Sequence, residues 1–416
     1  MTEQQKSYSR AAVSTSLAFM GILVMSLTMR SGATSTGPLL SSISQAYSAR
    51  AGALGFLSAL PCLVFAGVGL LAVPLSKRCG MSVVLTVGTV LSGAGLLLRP
   101  WASDFAIFCV LSVIALVGPA LANVLVPAWI KYHEAGKSTL LVTVYGTVLL
   151  LGGAAGSAVS VPLAGENGQN WRFALASWSV FAGIAAVIWL KITFLVRTDT
   201  PEGSAHYRNA PAETGNVKRR PIYHSRTAIA LVLGFGLQAL NAYVQFAFLP
   251  HILVNAGYSA AFSSIMTALV NLWAVAGGLV MPFMIDHMGY HIPWLSIIFG
   301  LLACAGWIGL LTVPGHAAFV WVSFLAIGGF TFPLILALIP ARSRDASVTA
   351  DLSALVQPIG YVIGALGPIG FGLLLEALGS ETIPLITMAV TGLLMGVTTY
   401  IGSGTGMIDD ELTIVG

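Results

Sequence analysis

Charged residues are scarce in this chain. Lysine and arginine number 19 and aspartate and glutamate 15, so 8% of the 416 residues are charged, whereas 56% are hydrophobic. A soluble domain carries roughly 25% charged residues, which help to cover its surface. With so few polar residues, a soluble fold could not hide this much apolar surface from water. The composition excludes a cytosolic enzyme, a nucleic-acid-binding protein and a disordered chain.

The sequence also lacks the motifs of catalysis. It contains no phosphate-binding loop, no cluster of residues spaced to hold a metal, and no serine–histidine–acid set. We therefore predict no enzymatic activity, no cofactor and no ATP-driven pump. The four cysteines are Cys62, Cys79, Cys109 and Cys304. They lie in or beside apolar stretches without paired spacing, which favours packing over a disulfide or a metal site.

Long apolar stretches, in contrast, are abundant. A helix needs about 20 apolar residues to cross the hydrocarbon core of a bilayer. Twelve stretches meet this condition, over residues 14–43, 52–75, 81–99, 105–130, 138–163, 173–195, 226–250, 260–284, 291–313, 317–340, 349–375 and 382–403. They are too long and too continuous for the strands of a β-barrel. We predict an all-α membrane protein whose twelve transmembrane helices lie in a lipid bilayer.

Lysine and arginine predict the orientation of these helices. If the N-terminus is cytoplasmic, most of these residues fall on the inner side of the membrane. Only three arginines then fall on the outer side: Arg50, Arg99 and Arg172. Cytoplasmic loops carry the excess of positive charge, so both termini are predicted to face the cytoplasm across the cell's inner (plasma) membrane. The longest polar segment, 197–225, is predicted to be a cytoplasmic linker between six-span halves at 1–196 and 226–416.

The two halves contain similar landmarks. Lys77, Arg78 and Gly80 follow the second span, and Asp286 and Gly289 follow the eighth, about 210 residues later. Two six-span halves related by an axis along the membrane normal are the plan of the major facilitator superfamily, with the substrate site between them. Both loops resemble that superfamily's Gly-x-x-x-Asp-Arg-x-Gly signature, which implies a gating role. The acid of the signature is present only as Asp286, since Lys77 replaces it in the first copy.

Several segments resemble the cyanate-permease and nitroimidazole-transporter branch of this superfamily. They are Arg30 followed by Gly37-Pro38-Leu39-Leu40, Asn123-Val124-Leu125-Val126-Pro127, Phe332-Pro333-Leu334, and Gly367-Pro368. Members of the branch carry dissimilar small solutes, so the resemblance implies transport without naming the substrate. Gly367 and Pro368 allow close helix approach and a bend, which indicates either plain packing or a helix that moves during gating.

Arg30 is the one charged residue that the predicted spans place at mid-depth. A charge there costs about 2.5–3.5 kcal/mol on insertion scales and usually marks a pathway or a site. No acid or histidine is predicted at that depth to pair with it. Its guanidinium could be satisfied by backbone carbonyls, or it could bind an anionic or strongly dipolar solute through its planar fork.

Neutral polar residues in other spans complete the predicted substrate site. Gln238 and Asn241 share one helical face of span seven because they are three residues apart. The full predicted set is Arg30, Asn123, Tyr145, Gln238, Asn241, Gln357 and Tyr361. Each neutral member could instead be a hydrogen-bonding contact between helices.

Two transport functions fit this pattern. The first is a secondary active transporter that moves a small anionic or polar solute by alternating access, with Arg30 as the central anchor. The alternative is an efflux carrier for a drug-like or heteroaromatic compound such as a nitroimidazole. Four aromatic residues would then stack on the solute: Trp129, Trp273, Phe332 and Tyr361.

Other features bear on the class of protein and its energy source. Short loops and the lack of a soluble domain argue against a non-transporting receptor or scaffold. Proton coupling could use Asp351 or Glu376, at the two ends of span eleven, or a solute that carries its own proton. Facilitated diffusion is also open, and nothing in the sequence demands an oligomer, so we predict a monomer.

Overall fold

The computed structural model describes residues 14–165, 168–196, 199–200, 220–313, 315–404 and 406–413. Within them, 11 segments are long and apolar enough to cross a membrane. One of these segments, Ala260–Thr312, has 53 residues. It consists of two helices joined by a 3-10 turn at Gly289–His291. The described chain therefore makes twelve helical passes, which confirms the predicted fold class.

The membrane helices begin and end close to the predicted bounds. They are α1 (Thr15–Thr34), α2 (Ala51–Cys79), α3 (Met81–Leu98), α4 (Phe105–His133), α5 (Ser138–Ala164), α6 (Trp178–Val196), α7 (Arg226–Asn255), α8 (Ala260–Met288), α9 (Ile292–Thr312), α10 (Ala318–Gly328 with Thr331–Ala341), α11 (Ala346–Leu378) and α12 (Thr382–Gly402). Short helices follow α1 at Leu40–Tyr47, precede α6 at Trp171–Ala176 and follow α12 at Ile408–Leu412. We call α1–α6 the N-terminal half and α7–α12 the C-terminal half.

Two predicted spans are interrupted helices. The first, predicted over 14–43, ends its α-helix at Thr34 and continues as a 3-10 turn at Gly37–Leu39. Pro38 has no backbone N–H to extend the α-helix. The tenth stops at Gly328 and restarts at Thr331. Glycine is a poor helix former, and Gly328 is followed by Gly329.

The two halves meet along two helix pairs. α2 packs against α11, and α5 packs against α8, while α7 also packs on α11 and α12. The α2–α11 crossing brings backbones into direct contact, because a Cβ atom on Gly55 would collide with the carbonyl oxygen of Pro368. Gly367, beside it, packs closely on Leu240 of α7. The predicted Gly367-Pro368 pair thus lies where α11 crosses helices of both halves.

The bundle is closed at one end and open at the other. At the closed end, the backbone N–H of Gly52 donates to Glu376 Oε2 over 2.9 Å, which joins α2 to α11. Ser264 Oγ donates to the carbonyl of Ser157 over 2.9 Å, which joins α8 to α5. At the other end, a cavity of about 1230 Å³ reaches Val73 and Thr143, near the end of α2 and the start of α5. We call the latter the open face.

Two further sequence predictions concern the cysteines and the linker between the halves. Cys62 and Cys109 are buried free thiols, as expected for packing residues, but Cys79 is exposed at the end of α2. The packing prediction is therefore wrong for Cys79, because its position on the last helical turn leaves it beyond the neighbouring helices. The predicted linker, 197–225, lies mostly outside the described residues, and the domain boundaries that it sets remain predictions.

Candidate substrate site

Arg30 lies in α1 and faces the space between the halves. Its guanidinium carbon is 5.7 Å from the centre of the Phe246 ring in α7. No described residue accepts a hydrogen bond from its head group or forms an ion pair with it. Arg30 lines three separate cavities. Its donors are therefore available to a solute that enters between the halves.

The three cavities differ in size and position. The central cavity, of about 1230 Å³, extends from Arg30 to the open face. A side cavity of about 130 Å³ runs from Arg30 into the C-terminal half, between α7, α8 and α10. The smallest of the three, of about 30 Å³, lies on the other side of Arg30, toward the closed end, and is called the enclosed cavity for that position. Among the described residues, no aspartate or glutamate lines any of them.

Four of the predicted neutral residues line the central cavity with Arg30. Asn123 and Tyr145 form a pair, in which the Tyr145 hydroxyl donates to Asn123 Oδ1 over 3.1 Å. Gln357 is exposed to the cavity from α11, and Tyr361 lies one turn further along the same helix. The structure thus brings α1, α4, α5 and α11 together around a wall that contains one positive charge and several neutral polar groups.

The two residues from α7 line the side cavity and differ in their bonding. The Asn241 amide is fully engaged, because its Nδ2 donates to the Leu237 carbonyl at 2.9 Å and to Thr391 Oγ1 at 3.2 Å. Its Oδ1 accepts from Trp307 Nε1 at 2.8 Å. No described residue hydrogen-bonds the side chain of Gln238. Gln238 can therefore serve a solute directly, whereas Asn241 joins α7 to α9 and α12.

Aromatic rings form much of the remaining wall. The ring of Tyr361 lies edge-on to Phe65 and Phe235, with centroids 5.6 and 5.3 Å away. Phe332 packs on Phe235 with ring centroids 5.7 Å apart. Phe65 belongs to α2 and the other rings to the C-terminal half, so both halves contribute rings to the central cavity.

Two of the predicted stacking residues lie elsewhere. Trp129 and Trp273 line none of the three cavities. Trp129 is fully buried inside the N-terminal half, where its Nε1 donates to Ser82 Oγ over 2.8 Å. The prediction that these tryptophans face a solute is wrong because helical spacing does not reveal which neighbouring helix a face meets. Phe332 and Tyr361 do line the central cavity.

The loop between α2 and α3 is contacted by an acid that the sequence analysis did not place there. Lys77 and Arg78 are exposed at the end of α2, and Gly80 follows with a φ of 90°. The carboxylate of Asp199, from beyond α6, accepts from Ser82 N at 3.0 Å and Ser82 Oγ at 2.7 Å. His133 Nε2 lies 3.2 Å from it.

Asp199 therefore caps the start of α3, where a helix N-terminus favours negative charge. Burial alone would raise the pKa of this carboxyl, but the hydrogen bonds with His133 and Ser82 lower it below its ordinary value. The loop signature did not reveal this contact, because Asp199 and Ser82 are 117 residues apart in the sequence. The second loop has no such contact, since Asp286 is exposed with no partner among the described residues. Gly289 there has a φ of 45°.

Arg99 is a second buried cation that the sequence analysis missed. The positive-charge pattern placed it on the outer side, and its backbone does lie just beyond the last residue of α3. Its side chain, however, is only 2% exposed and turns inward, where Nη2 donates to the Gly32 carbonyl over 2.8 Å. Arg99 lines the enclosed cavity together with Arg30. A second cation therefore lines a cavity beside Arg30, and the sequence analysis missed it because hydropathy cannot show the direction of a side chain at a helix end.

Comparison with known proteins agrees with this architecture. The 2-nitroimidazole transporter of Escherichia coli (strain K12) is 32% identical over 378 residues, which cover 91% of this chain and 93% of that protein. The cyanate transport protein CynX of the same organism is 26% identical over 360 residues, 86% of this chain and 90% of that protein. A D-xylose–proton symporter structure has a TM-score of 0.74 at 16% identity and covers 96% of this chain and 99% of its own.

A second solved structure and a family profile complete the comparison. The inward open conformation of the Escherichia coli xylose transporter XylE has a TM-score of 0.71 at 15% identity, over 94% of this chain and 96% of its own. Residues 19–368 match the sequence profile of the Major Facilitator Superfamily. With the twelve-helix fold and a match that spans most of its length, this chain belongs to the Major Facilitator Superfamily of membrane transporters.

Proposed function

We propose that this protein is a secondary transporter that moves a small anionic or strongly polar solute by alternating access, with Arg30 as its anchor. The observation that carries the proposal is the position of Arg30 on the walls of all three cavities, which contain no acid among the described residues. A guanidinium forms strong, charge-assisted hydrogen bonds with an anion. A relative whose name specifies cyanate transport carries such an anion.

The described conformation then corresponds to an inward-open state. Lys77, Arg78 and Lys131 lie at the open face, and loops rich in such residues face the cytoplasm. The outer end is held shut by the bond from Gly52 to Glu376 and by Arg50, whose Nη1 lies 3.7 Å from Glu376 Oε1. Arg30 would bind the solute in either state, and these outer contacts would break when the outer end opens.

We propose further that transport is linked to protons through a group outside the cavity walls or through the solute itself. Glu376 is one candidate, because it accepts the hydrogen bond that closes the outer end, and Asp351 near the start of α11 is the other. Reconstituted vesicles with an imposed proton gradient test this. Loss of uphill accumulation in Glu376→Gln or Asp351→Asn assigns coupling to that residue. No accumulation by the wild type indicates a uniporter or an exchanger.

A second candidate is efflux of a heteroaromatic compound, since a relative's name specifies 2-nitroimidazole. The central cavity supports it with Phe65, Phe235, Phe332 and Tyr361, which offer ring faces and edges to a flat solute. On this reading Arg30 would contact the polar substituent of the ring.

Transport by purified protein in vesicles separates the two candidates. We expect Arg30→Ala to reduce cyanate uptake by about a hundredfold or more, because it removes charge-assisted hydrogen bonds. Arg30→Lys should fail in large part, since an ammonium lacks the planar fork. Arg172→Gln is the matched control, because Arg172 stacks on Trp171 and donates to the Pro100 carbonyl, away from the three cavities.

Melting temperature and gel-filtration profile establish that each variant is folded. Normal cyanate uptake by Arg30→Ala would show that Arg30 is not the anchor. Transport of 2-nitroimidazole that survives Arg30→Ala but is lost in Tyr361→Ala would favour the heteroaromatic carrier.

A further inference from the structure

We propose that Arg99 and Ser112, together with Arg30, form a second anion-binding site in the enclosed cavity between Arg30 and the closed end. This inference rests on the proposed function in one respect: the site would hold the same class of small anion that Arg30 binds in the central cavity.

Two buried donors in this cavity have no described partner. Arg99 uses Nη2 for the Gly32 carbonyl at 2.8 Å, while its Nε is buried and unpaired among the described residues. The hydroxyl of Ser112 in α4, a residue only 2% exposed, is likewise buried without a partner in the part of the chain that the structure describes. Both side chains line the enclosed cavity. Burial of a polar donor without an acceptor is costly, so an acceptor that both groups could reach would stabilise the fold.

The charge of the cavity points to an anion as that acceptor. Arg30 and Arg99 both line it, and its wall contains no aspartate or glutamate. The two guanidinium groups face one space and repel each other, and the desolvation of the buried Arg99 is costly unless it is paired. One bound anion would offset both effects and would accept from Arg99 Nε and the Ser112 hydroxyl.

The size of the cavity restricts the ligand. Its volume of about 30 Å³ exceeds the roughly 10–15 Å³ needed for one water molecule. A halide or a comparably small anion fits, whereas a nitroimidazole ring does not. The enclosed site would therefore be selective for small anions even if the central cavity accepts larger solutes.

The location of the cavity gives the site a place on the transport route. Thr36, just beyond α1, and Leu57, near the start of α2, line it on the side of the closed end. Arg30 lines both this cavity and the central one. An anion at Arg99 would thus lie between the central anchor and the outer side, one step further along the path that opens when the outer end separates.

Bromide is a suitable probe because its anomalous scattering locates it directly. We expect crystals of the full chain soaked in sodium bromide to show an anomalous peak between Arg99 Nε and Ser112 Oγ. In solution, replacement of sodium gluconate by sodium bromide at constant ionic strength should raise the melting temperature of the protein. Arg99→Gln should weaken the apparent bromide affinity about tenfold or more, because a hydrogen bond to a charged group is lost. Arg172→Gln is the matched control and should leave it unchanged.

Arg99→Gln also loses the contact with Gly32 and could fail to fold. Ser112→Ala keeps that contact and should still weaken bromide binding, and the wild-type crystal requires no variant at all. A peak only beside Arg30 in the central cavity, or ordered water alone at Arg99, would overturn the second site and leave the proposed function intact. Bromide at Arg99 combined with normal cyanate uptake by Arg30→Ala would overturn Arg30 as the anchor and leave the second site intact.

Discussion

The guanidinium of Arg30 and the ring of Phe246 lie 5.7 Å apart across the interface between the two halves. The ring belongs to α7, whereas the charge belongs to α1, so the contact depends on how the halves approach each other. Phe246 also lines the enclosed cavity and the side cavity. An aromatic face beside a guanidinium orients that group while leaving its N–H donors free for an anion.

Replacement of Phe246 should therefore weaken solute binding without abolishing it. A cation–π contact contributes about 0.5–2 kcal/mol, so Phe246→Leu should raise the apparent solute Kd by about 2- to 30-fold. The measurement is equilibrium binding of the transported anion to purified protein. Phe194→Leu is the control, because Phe194 is 75% exposed on the outside of the bundle. Unchanged affinity in Phe246→Leu would mean that Phe246 does not position Arg30.

Single cysteines should report which predicted residues face the aqueous cavity. The exposed native Cys79 must first be replaced. In the described conformation, Gln357→Cys should react rapidly with a small charged thiol reagent, Gln238→Cys more slowly, and Asn241→Cys least. Gln357 is exposed in the central cavity, whereas Gln238 and Asn241 are only 7% and 3% exposed. Substrate should protect Gln357→Cys. Rapid labelling of Asn241→Cys would show that this position faces water during the cycle.

Asn241 should matter more for stability than for binding. Asn241→Ala leaves Trp307 Nε1 buried without its acceptor, which typically costs about 1–3 kcal/mol. We expect a lower melting temperature and a near-normal solute Kd for the folded protein. Thr398→Ala is the control, since Thr398 is half-buried and its hydroxyl donates only to carbonyls of its own helix. A large loss of affinity with unchanged melting temperature would instead make Asn241 a solute ligand.

The Asp199 cap predicts a specific dependence of stability on pH. The folded pKa of Asp199 lies below its ordinary value of 3.8, so its carboxylate stabilises the fold above that pH. That stability is lost as the pH falls through the folded pKa. Asp199→Asn should therefore be less stable than wild type at pH 7, and the difference should shrink only in strong acid. The measurement is melting temperature from pH 7 down to the limit of solubility.

Asp286→Asn is the matched control, because Asp286 occupies the corresponding loop of the second half without a described partner. It should melt like the wild type at every pH. Since His133 faces Asp199 at 3.2 Å, His133→Ala should reproduce part of the loss in stability. Equal stability of Asp199→Asn and wild type at pH 7 would contradict the role of Asp199 as a cap.

Several parts of the site could be predicted from single residues and their spacing. Arg30 stood out because a charge in the middle of an apolar span is costly wherever the neighbouring helices lie. Tyr361 and Gln357 are one turn apart on a helix, and the structure places both on the central cavity. Asn241 met the same criteria, yet its side-chain amide forms hydrogen bonds with Trp307 and Thr391. Polarity and depth identify a residue that needs a partner, but they cannot tell a solute from another helix.

The sequence by itself determined the class of protein, the twelve passes and the presence of Arg30 inside the membrane. Those properties follow from the composition of windows about as long as one helix, and the bilayer imposes them locally. Only the tertiary structure decided that Arg99 turns inward to Gly32 and that Asp199 reaches Ser82, 117 residues away. Side chains at helix ends can point toward solvent or toward a neighbour, and the packing of distant helices fixes that choice. The inward contact of Arg99 and the Asp199 cap therefore form only once the helices have assembled.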